Sequence, residues 1–97
     1  TDVEGVKVGH VTLNYDSNVR TGVTAIIPHK SDPFRVKTPT AIYIGNGYGK
    51  LAGYSQVEEL GNSETPIILT NTLSVPTASQ ALIEYTLKSN KNSVCQV

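Results

Sequence analysis

Apolar and polar residues alternate over several short stretches of the chain, a spacing typical of strands with one buried face. Valine, isoleucine and threonine dominate these stretches, and β-branched side chains fit a pleated, half-buried surface. Pro28 ends one stretch, because proline has no N–H to donate to a ladder. Gly9 is expected to separate the first two. The pattern predicts strands at residues 6–8, 10–15, 21–27, 40–46 and 65–71.

A helical spacing follows the last of these strands and predicts a helix over about residues 76–89. Its apolar stripe has the i, i+3, i+4, i+7 spacing of an amphipathic helix. The stripe comprises Ala78, Ala81, Leu82 and Tyr85. Thr77 and Gln80 fit a capping box at the start of this helix.

Two further stretches have less definite patterns. Residues 51–60 fit either a strand or a short helix, and residues 94–97 look like the opening of another strand. Several strands, a helix and the start of a strand predict the α+β class. A chain of 97 residues makes room for one domain at most.

The charge balance excludes two classes of partner. Eight Lys and Arg residues balance eight Asp and Glu, so the chain has no electrostatic footprint for nucleic acid or anionic lipid.

Its apolar runs are far shorter than the roughly 20 residues of a membrane span. Cys95 is the single cysteine, which excludes an internal disulfide and a cysteine zinc site. No signal peptide is visible, so a cytoplasmic protein is expected.

A glycine-rich segment, residues 45–50, is the most prominent local motif. Its glycines would let the backbone approach a ligand or adopt a positive φ. It is not a P-loop, because Leu51 follows Lys50 where that motif has Ser or Thr. It matches the GxGxxA form of the dinucleotide fingerprint, but no acidic residue follows about 20 positions later. A tight turn with close backbone packing is the simpler interpretation.

Few side chains suggest a nucleophile or a base. An N-terminal threonine such as Thr1 can attack with its own α-amine as base, although Thr1 also fits an ordinary lead into a strand. His10 and His29 have no Ser, Cys or carboxylate that the sequence places beside them, and His29 is expected to be solvated. Glu58 and Glu59 can supply a carboxylate for proton transfer, or one is buried and the other solvated.

Asn71 and Thr72 lie between a predicted strand and the predicted helix. Connections of this kind often carry polar groups of a binding site. The alternative is a turn that caps the helix. No single motif in the chain justifies an enzymatic function by itself.

Four segments, taken in their order and spacing, carry a more specific signal. They are TDVEGVKVGHVTL (1–13), VRTGVTAIIPH (19–29), GNGYGKLAGYSQVEELG (45–61) and ETPIILTNTLSV (64–75). Together they resemble the N-terminal part of the DmpA-type aminopeptidases, the P1 or S58 peptidase family of L-aminopeptidase/D-esterases and β-peptidyl aminopeptidases. The resemblance covers nearly the whole chain. One departure is Pro76, which stands where the family usually has glycine and which would remove a backbone N–H.

The resemblance implies a fold and a reaction. The fold is part of an αββα sandwich, and residues 1–97 would form a single partial domain in the larger subunit. The precursor would cleave itself before a serine that becomes the nucleophile of the smaller subunit. That serine is expected beyond Val97, so no catalytic residue is assigned within this chain. The reaction would release N-terminal residues from short peptides, amides or esters, without a metal or an organic cofactor.

The resemblance also implies partners and a binding surface. The expected partners are the remainder of the precursor, further copies in a homo-oligomer and a short peptide substrate. The candidate substrate-binding residues are Asn46, Gly47, Tyr48, Asn71 and Thr72. Two alternatives remain open at this stage: a non-enzymatic structural or binding module on the same half-fold, and an acyltransferase on a related scaffold.

Overall fold

The computed structural model describes residues 1–15 and 18–90. Cys95 and the strand predicted at residues 94–97 lie outside the described residues. In chain order, the described elements are β1 (Lys7–Tyr15), β2 (Val19–Ile27), β3 (Thr38–Pro39), α1 (Tyr54–Leu60), β4 (Asn62–Ser63), β5 (Ile67–Leu69) and α2 (Val75–Ser89). This content confirms the α+β class.

The longest pairing is the antiparallel hairpin of β1 and β2, which runs from Lys7 opposite Ile27 to the end of β1. Gly9 pairs with Ala25 inside this ladder, so the prediction that Gly9 divides residues 6–8 from 10–15 is wrong. The ladder continues through residues on both sides of Gly9, and these pairings hold the glycine in the strand. β2 ends at Ile27, which confirms that Pro28 terminates it.

β5 pairs antiparallel with β2, and the sheet order is β1-β2-β5. β5 covers only Ile67–Leu69, whereas the pattern predicts 65–71. Pro66 cannot donate to a ladder, and Asn71 already begins the turn toward α2. The apolar run suggests burial on both faces, yet Ile67 and Leu69 are 42% and 56% exposed. β5 is an edge of this small sheet, so little covers it.

The strand predicted at residues 40–46 is absent, which corrects the sequence analysis. The pairing there is limited to β3 with β4, and it closes where the Thr40 N–H donates to Gly61 O at 2.8 Å. No described strand pairs with residues 41–44, and Tyr43 is 93% exposed. β-Branched residues form a strand only where another strand offers its ladder, and here none does.

α1 resolves the ambiguity of residues 51–60 in favour of a helix. Gly53 and Gly61 flank it with φ of 85° and 68°, in the left-handed region that favours glycine. The Gly61 N–H donates to Val57 O, closing the last turn. Val57 is buried, Tyr54 is half-buried and Leu60 is exposed.

α2 confirms the predicted helix and begins one residue earlier, at Val75. Pro76 lies in its first turn, where a missing N–H costs nothing. The predicted capping box is wrong, because the helix begins before Thr77, Gln80 donates to Glu84 Oε1, and the side chain of the N-cap residue Ser74 makes no cap bond. No side chain of α2 is buried, and Tyr85 of the predicted apolar stripe is 47% exposed.

A polar clamp, formed by Asp32, Arg35 and Asn90, ties the loop after β2 to the end of α2. Asn90 is fully buried. Its Oδ1 accepts from Arg35 Nε at 2.6 Å, and its Nδ2 donates to Asp32 Oδ2 at 2.8 Å and to Thr86 O at 3.0 Å. The loop at residues 28–39 is therefore anchored, and its Pro33 is buried.

The register of the sheet separates its two sides, because directly paired residues share a face. One side, called the apolar face below, carries Val11, Leu13, Val23, Ala25, Ile27 and Ile68. Val11 and Leu13 are 58% and 43% exposed. A folded monomer of 10.4 kDa exposes about 5,400 Å², whereas this chain exposes 7608 Å². The four-layer sandwich implied by the resemblance stays a prediction, since the described sheet is a single layer.

Candidate functional site

Asn71 occupies the connection from β5 to α2 and bonds to both sides of it. Its Oδ1 accepts from the Ser74 N–H at 3.0 Å and caps the 3₁₀ turn Thr72–Ser74. Its Nδ2 donates to Thr21 Oγ1 on β2 at 3.3 Å. Asn71 remains exposed, so one N–H of its amide is still free to donate. Both the capping interpretation and the binding interpretation therefore fit this residue.

Thr72 is exposed in the same turn, and its carbonyl accepts from the Val75 N–H. Its hydroxyl makes no hydrogen bond to another described residue. Asn71 and Thr72 thus present one amide N–H and one hydroxyl at the end of β5. Together they form a small exposed polar surface, and its role as a substrate-binding surface stays a prediction.

The glycine-rich segment forms a separate, exposed turn. Asn46 Oδ1 accepts from the Tyr48 N–H at 2.9 Å, which closes an Asx turn. Lys50 Nζ lies 5.5 Å from the centroid of the Tyr48 ring, and Tyr48 is 85% exposed. A Cβ on Gly47 would lie 3.4 Å from Ile44 Cγ2, an ordinary van der Waals contact, and nothing lies within 4 Å of a Cβ on Gly45 or Gly49. The segment uses no positive φ, because the positive-φ glycines lie elsewhere.

Two open clefts of about 320 Å³ each occur in the structure, and none of the five candidate residues lines either. The first, called the hairpin cleft below, is lined by Thr12, Leu13, Asn14, Arg20, Thr21 and Gly22. Asn71 donates to Thr21, so the hairpin cleft adjoins the Asn71 turn. Asn46, Gly47 and Tyr48 line neither cleft, and the structure does not join them to Asn71 and Thr72 in one pocket.

The second cleft runs beneath α2, where Phe34 and Leu82 contribute apolar walls. Its one carboxylate, Glu64, lies 3.8 Å from Lys37 Nζ. Lys37 also donates to Phe34 O at 2.8 Å and lies 4.8 Å from the centroid of the Phe34 ring. The charge of Glu64 is thus balanced by Lys37. No sequence pattern indicated this cleft, since its walls come from four separate segments.

The histidines do not form a catalytic triad. His10 Nδ1 lies 2.9 Å from Thr24 Oγ1, a hydroxyl and imidazole pair in the middle of the hairpin, but no described carboxylate bonds to the His10 ring. A triad needs such a group to orient the base. His29 Nε2 donates to Val36 O at 2.7 Å, and its Nδ1 accepts from the Ser31 N–H at 3.1 Å. His29 is half-buried and bonded, so the prediction that it is solvated is wrong.

The other candidate nucleophile and bases have local structural roles. Thr1 Oγ1 accepts from the Val3 N–H at 3.1 Å and lies 3.0 Å from Val3 O, so its hydroxyl serves the local turn. Glu58 and Glu59 are both exposed, which corrects the one-buried alternative. Glu58 Oε2 accepts from the Tyr54 hydroxyl at 3.1 Å. This bond and the negative charge of Glu58 raise the pKa of Tyr54 above its usual value of 10.0.

Metal ligands are not grouped in the part of the chain that the structure describes. No cluster of three or more His, Cys, Asp or Glu side chains there can hold an ion. Among the described helices, none combines the length and the apolar character needed to cross a bilayer.

Comparison with known proteins decides the family. The profile of peptidase family S58 matches residues 1–97, the entire chain. The chain belongs to peptidase family S58. This S58 chain is 35% identical over 97 residues to the β-peptidyl aminopeptidase BapA of Sphingosinicella microcystinivorans, which covers 88% of this chain and 23% of BapA. The BapA of Sphingosinicella xenopeptidilytica is 34% identical over 96 residues, covering 90% and 23%.

A solved structure supports the same assignment. The PH0078 protein from Pyrococcus horikoshii OT3 is 48% identical to the S58 chain and superposes with a TM-score of 0.89. The match covers 94% of this chain and 28% of that one. The S58 chain therefore spans less than a third of the length of the proteins it matches.

Proposed function

We propose that this chain is a portion of the larger subunit of a self-processing serine aminopeptidase that releases N-terminal residues from short peptides, amides or esters. The observation that carries the proposal is the match to peptidase family S58 over all 97 residues. The curated relatives are named β-peptidyl aminopeptidases, which supports an aminopeptidase reaction.

The nucleophile of the proposed enzyme lies outside these 97 residues. Acyl transfer needs a hydroxyl or thiol beside a base, with donors aimed at the oxyanion. The nearest arrangement among the described residues is Thr24 beside His10, and it lacks an orienting carboxylate. Thr24 also lies within β2, where the backbone N–H groups take part in the ladders with β1 and β5. These N–H groups are therefore not available to form an oxyanion hole.

In this proposal the chain supplies scaffold and one edge of the substrate pocket. Asn71 and Thr72 offer an amide N–H and a hydroxyl beside the hairpin cleft. The candidates Asn46, Gly47 and Tyr48 would reach substrate only if another part of the protein closes over their turn, because that turn is open. The Asn71 turn therefore comes first among the proposed substrate contacts.

The remainder of the same precursor is the proposed cover for the apolar face. Val11 and Leu13 on that face are exposed to 58% and 43%, and apolar burial contributes about 25 cal/mol per Å². The chain spans 23% of BapA, so most of such a protein is available to cover it. Further copies of the protein in a homo-oligomer are a second proposed partner.

The decisive experiment is the intact mass of the protein, expressed from its complete gene and measured under denaturing conditions. The proposal expects two polypeptides, with the smaller one beginning at a serine, and hydrolysis of amino-acid p-nitroanilides. Substitution of that serine by alanine should abolish both the cleavage and the hydrolysis. One uncleaved polypeptide without hydrolytic activity would contradict the proposal and favour a structural or binding module.

A charge on the apolar face tests the proposed cover. Leu13→Asp should place a carboxylate in the contact with the remainder of the precursor, and the assembled protein should be lost from size-exclusion chromatography. Val3→Asp is the matched control, because Val3 is also an exposed apolar residue, at 62%, but lies before β1. Equal behaviour of the two variants would show that the apolar face is not covered.

A further inference from the structure

The side of the hairpin opposite the apolar face carries an unusual set of residues toward the turn. Three cross-strand pairs, His10 with Thr24, Thr12 with Gly22 and Asn14 with Arg20, place six residues on one side. These six residues are called the polar patch. The patch includes two groups that can be cationic and no acidic residue. Among the described residues, the polar patch therefore offers hydrogen-bond donors and no negatively charged acceptor.

Within the polar patch, His10 and Thr24 bond to each other at 2.9 Å. Thr12, Asn14 and Arg20 have no side-chain hydrogen bond or ion pair with any other described residue. Among the described residues, the guanidinium of Arg20 thus keeps all five of its N–H donors unused. By contrast, Arg35 donates to Asn90 in the polar clamp.

The same three side chains line the hairpin cleft, which has a volume of about 320 Å³. Gly22 lies between them, opposite Thr12, and contributes no side chain to the cleft. The guanidinium of Arg20, the amide of Asn14 and the hydroxyl of Thr12 can therefore donate hydrogen bonds to one ligand that lies over Gly22. A planar carboxylate fits this set, because it accepts two parallel bonds from a guanidinium and has further lone pairs for the other donors.

We infer that Arg20, with Asn14 and Thr12, forms a carboxylate-binding subsite on the polar patch, and that it binds the C-terminal carboxylate of a short peptide. The identity of the peptide rests on the proposed function, whereas the binding of a carboxylate does not. Asn71 bonds to Thr21, the neighbour of Arg20 along β2, so the Asn71 turn and the Arg20 subsite lie at the same end of the hairpin. Thr21 itself pairs with Leu13 on the apolar face, whereas Arg20 lies on the opposite side.

Binding of blocked peptides to the intact protein tests the subsite without hydrolysis. The probes are N-acetyl-dialanine with a free carboxylate and the same peptide as a C-terminal amide, titrated by calorimetry. We expect the acid to bind about tenfold more tightly than the amide, since only the acid forms a bond between oppositely charged groups with Arg20. Arg20→Gln should lower the affinity for the acid about tenfold and leave that for the amide unchanged.

Two further variants separate geometry from charge. Arg20→Lys keeps the charge but loses the planar fork, so its affinity for the acid should fall between those of the original protein and Arg20→Gln. Lys88→Gln removes one positive charge from the exposed end of α2 and should change neither affinity. Circular dichroism should show all three variants folded, because both side chains are exposed.

The outcomes against the inference are distinct from failure of the proposed function. Equal affinities for acid and amide, or equal losses in Arg20→Gln and Lys88→Gln, would overturn the subsite. Inorganic phosphate that displaces the acid peptide at equal concentration would assign the subsite to a free oxyanion and overturn the peptide. An unprocessed, inactive protein that still prefers the acid would overturn the proposed function and leave the carboxylate subsite in place.

Discussion

The β1-β2-β5 sheet and the polar clamp at the end of α2 are held together by different parts of the chain. The sheet is joined by backbone ladders, and side chains on both of its sides are exposed: Leu13 is 43% exposed, and Arg20 makes no hydrogen bond or ion pair with another described residue. The clamp is joined by side chains, and its central residue, Asn90, is fully buried with its amide bonded on both ends. The comparison shows which contacts the described residues complete by themselves. The clamp residues bond to one another, whereas both faces of the sheet have exposed side chains that another molecule can contact.

The largest expected effect is at the clamp. Asn90→Ala removes the three side-chain hydrogen bonds of a fully buried amide, so it should lower the free energy of unfolding by about 3 kcal/mol. The measurements are thermal unfolding and hydrogen exchange at the Val36 N–H, which donates to Asp32 O. Ser89→Ala, one residue earlier and exposed, is the control. Unchanged exchange at Val36 in Asn90→Ala would mean that the clamp does not hold the loop.

A methyl group in the hairpin is the next test, because the sheet depends on its backbone geometry. A Cβ on Gly22 would lie 2.8 Å from Val11 O, too close for a backbone atom that the ladder holds in place. Gly22→Ala should therefore cost about 2 kcal/mol of stability. Gly9→Ala is the matched control in the same hairpin, since nothing lies within 4 Å of its Cβ position, and its cost should be near zero. Equal melting temperatures would contradict the close approach of the two strands.

A smaller effect is expected at Asn71, which joins the sheet to the helical side. Asn71→Ala loses the cap on Ser74 and the bond to Thr21, and should destabilise the protein by about 1 kcal/mol. Asn71→Asp keeps an acceptor for Ser74 but has no N–H to donate. If Asn71 also binds substrate, Asn71→Asp should retain most of the stability and still raise KM. Parallel loss of stability and kcat/KM in both variants would indicate a purely structural role.

The smallest effect concerns a single proton on α1. Because Glu58 raises the pKa of Tyr54, the neutral phenol persists at a pH where an ordinary tyrosine is ionised. The bond to Glu58 is fully formed below pH 10.0, the unperturbed value, and is lost as the pH rises through the raised pKa. Glu58→Gln should lower the pKa of Tyr54, measured by ultraviolet titration. Glu59→Gln should not, and a shared shift would contradict the specific contact.

Local patterns predicted the elements that depend on local interactions. α2 was predictable because its period persists over fifteen residues, and the end of β2 because Pro28 cannot pair. Residues 40–46 were mispredicted because strand formation depends on a neighbour that the sequence does not identify. The clamp was invisible for a similar reason, since Asn90 and Asp32 are 58 positions apart.

The same difference between local signals and distant partners applies to the residues of the candidate site. Asn71 was selected from its position between a strand and a helix, a local signal, and its role in binding stays a prediction. Arg20 was missed, although the alternation along β1 and β2 contains the signal. With the register in hand, Thr12, Asn14 and Arg20 fall on one side and no acidic residue falls among them. The sequence alone does not fix that register, because the pairing is a property of two strands.

The two glycines that flank α1 limit the length of this helix. Gly53 and Gly61, with φ of 85° and 68°, adopt a backbone conformation that is natural for a D-amino acid. Any L-residue at either position would be strained. Replacing Gly53 or Gly61 is therefore not expected to extend this seven-residue helix at its start or at its end. D-alanine at position 61, introduced by chemical ligation, would instead match the native φ and restrict the unfolded chain. The handedness of two single residues thus fixes the length of α1.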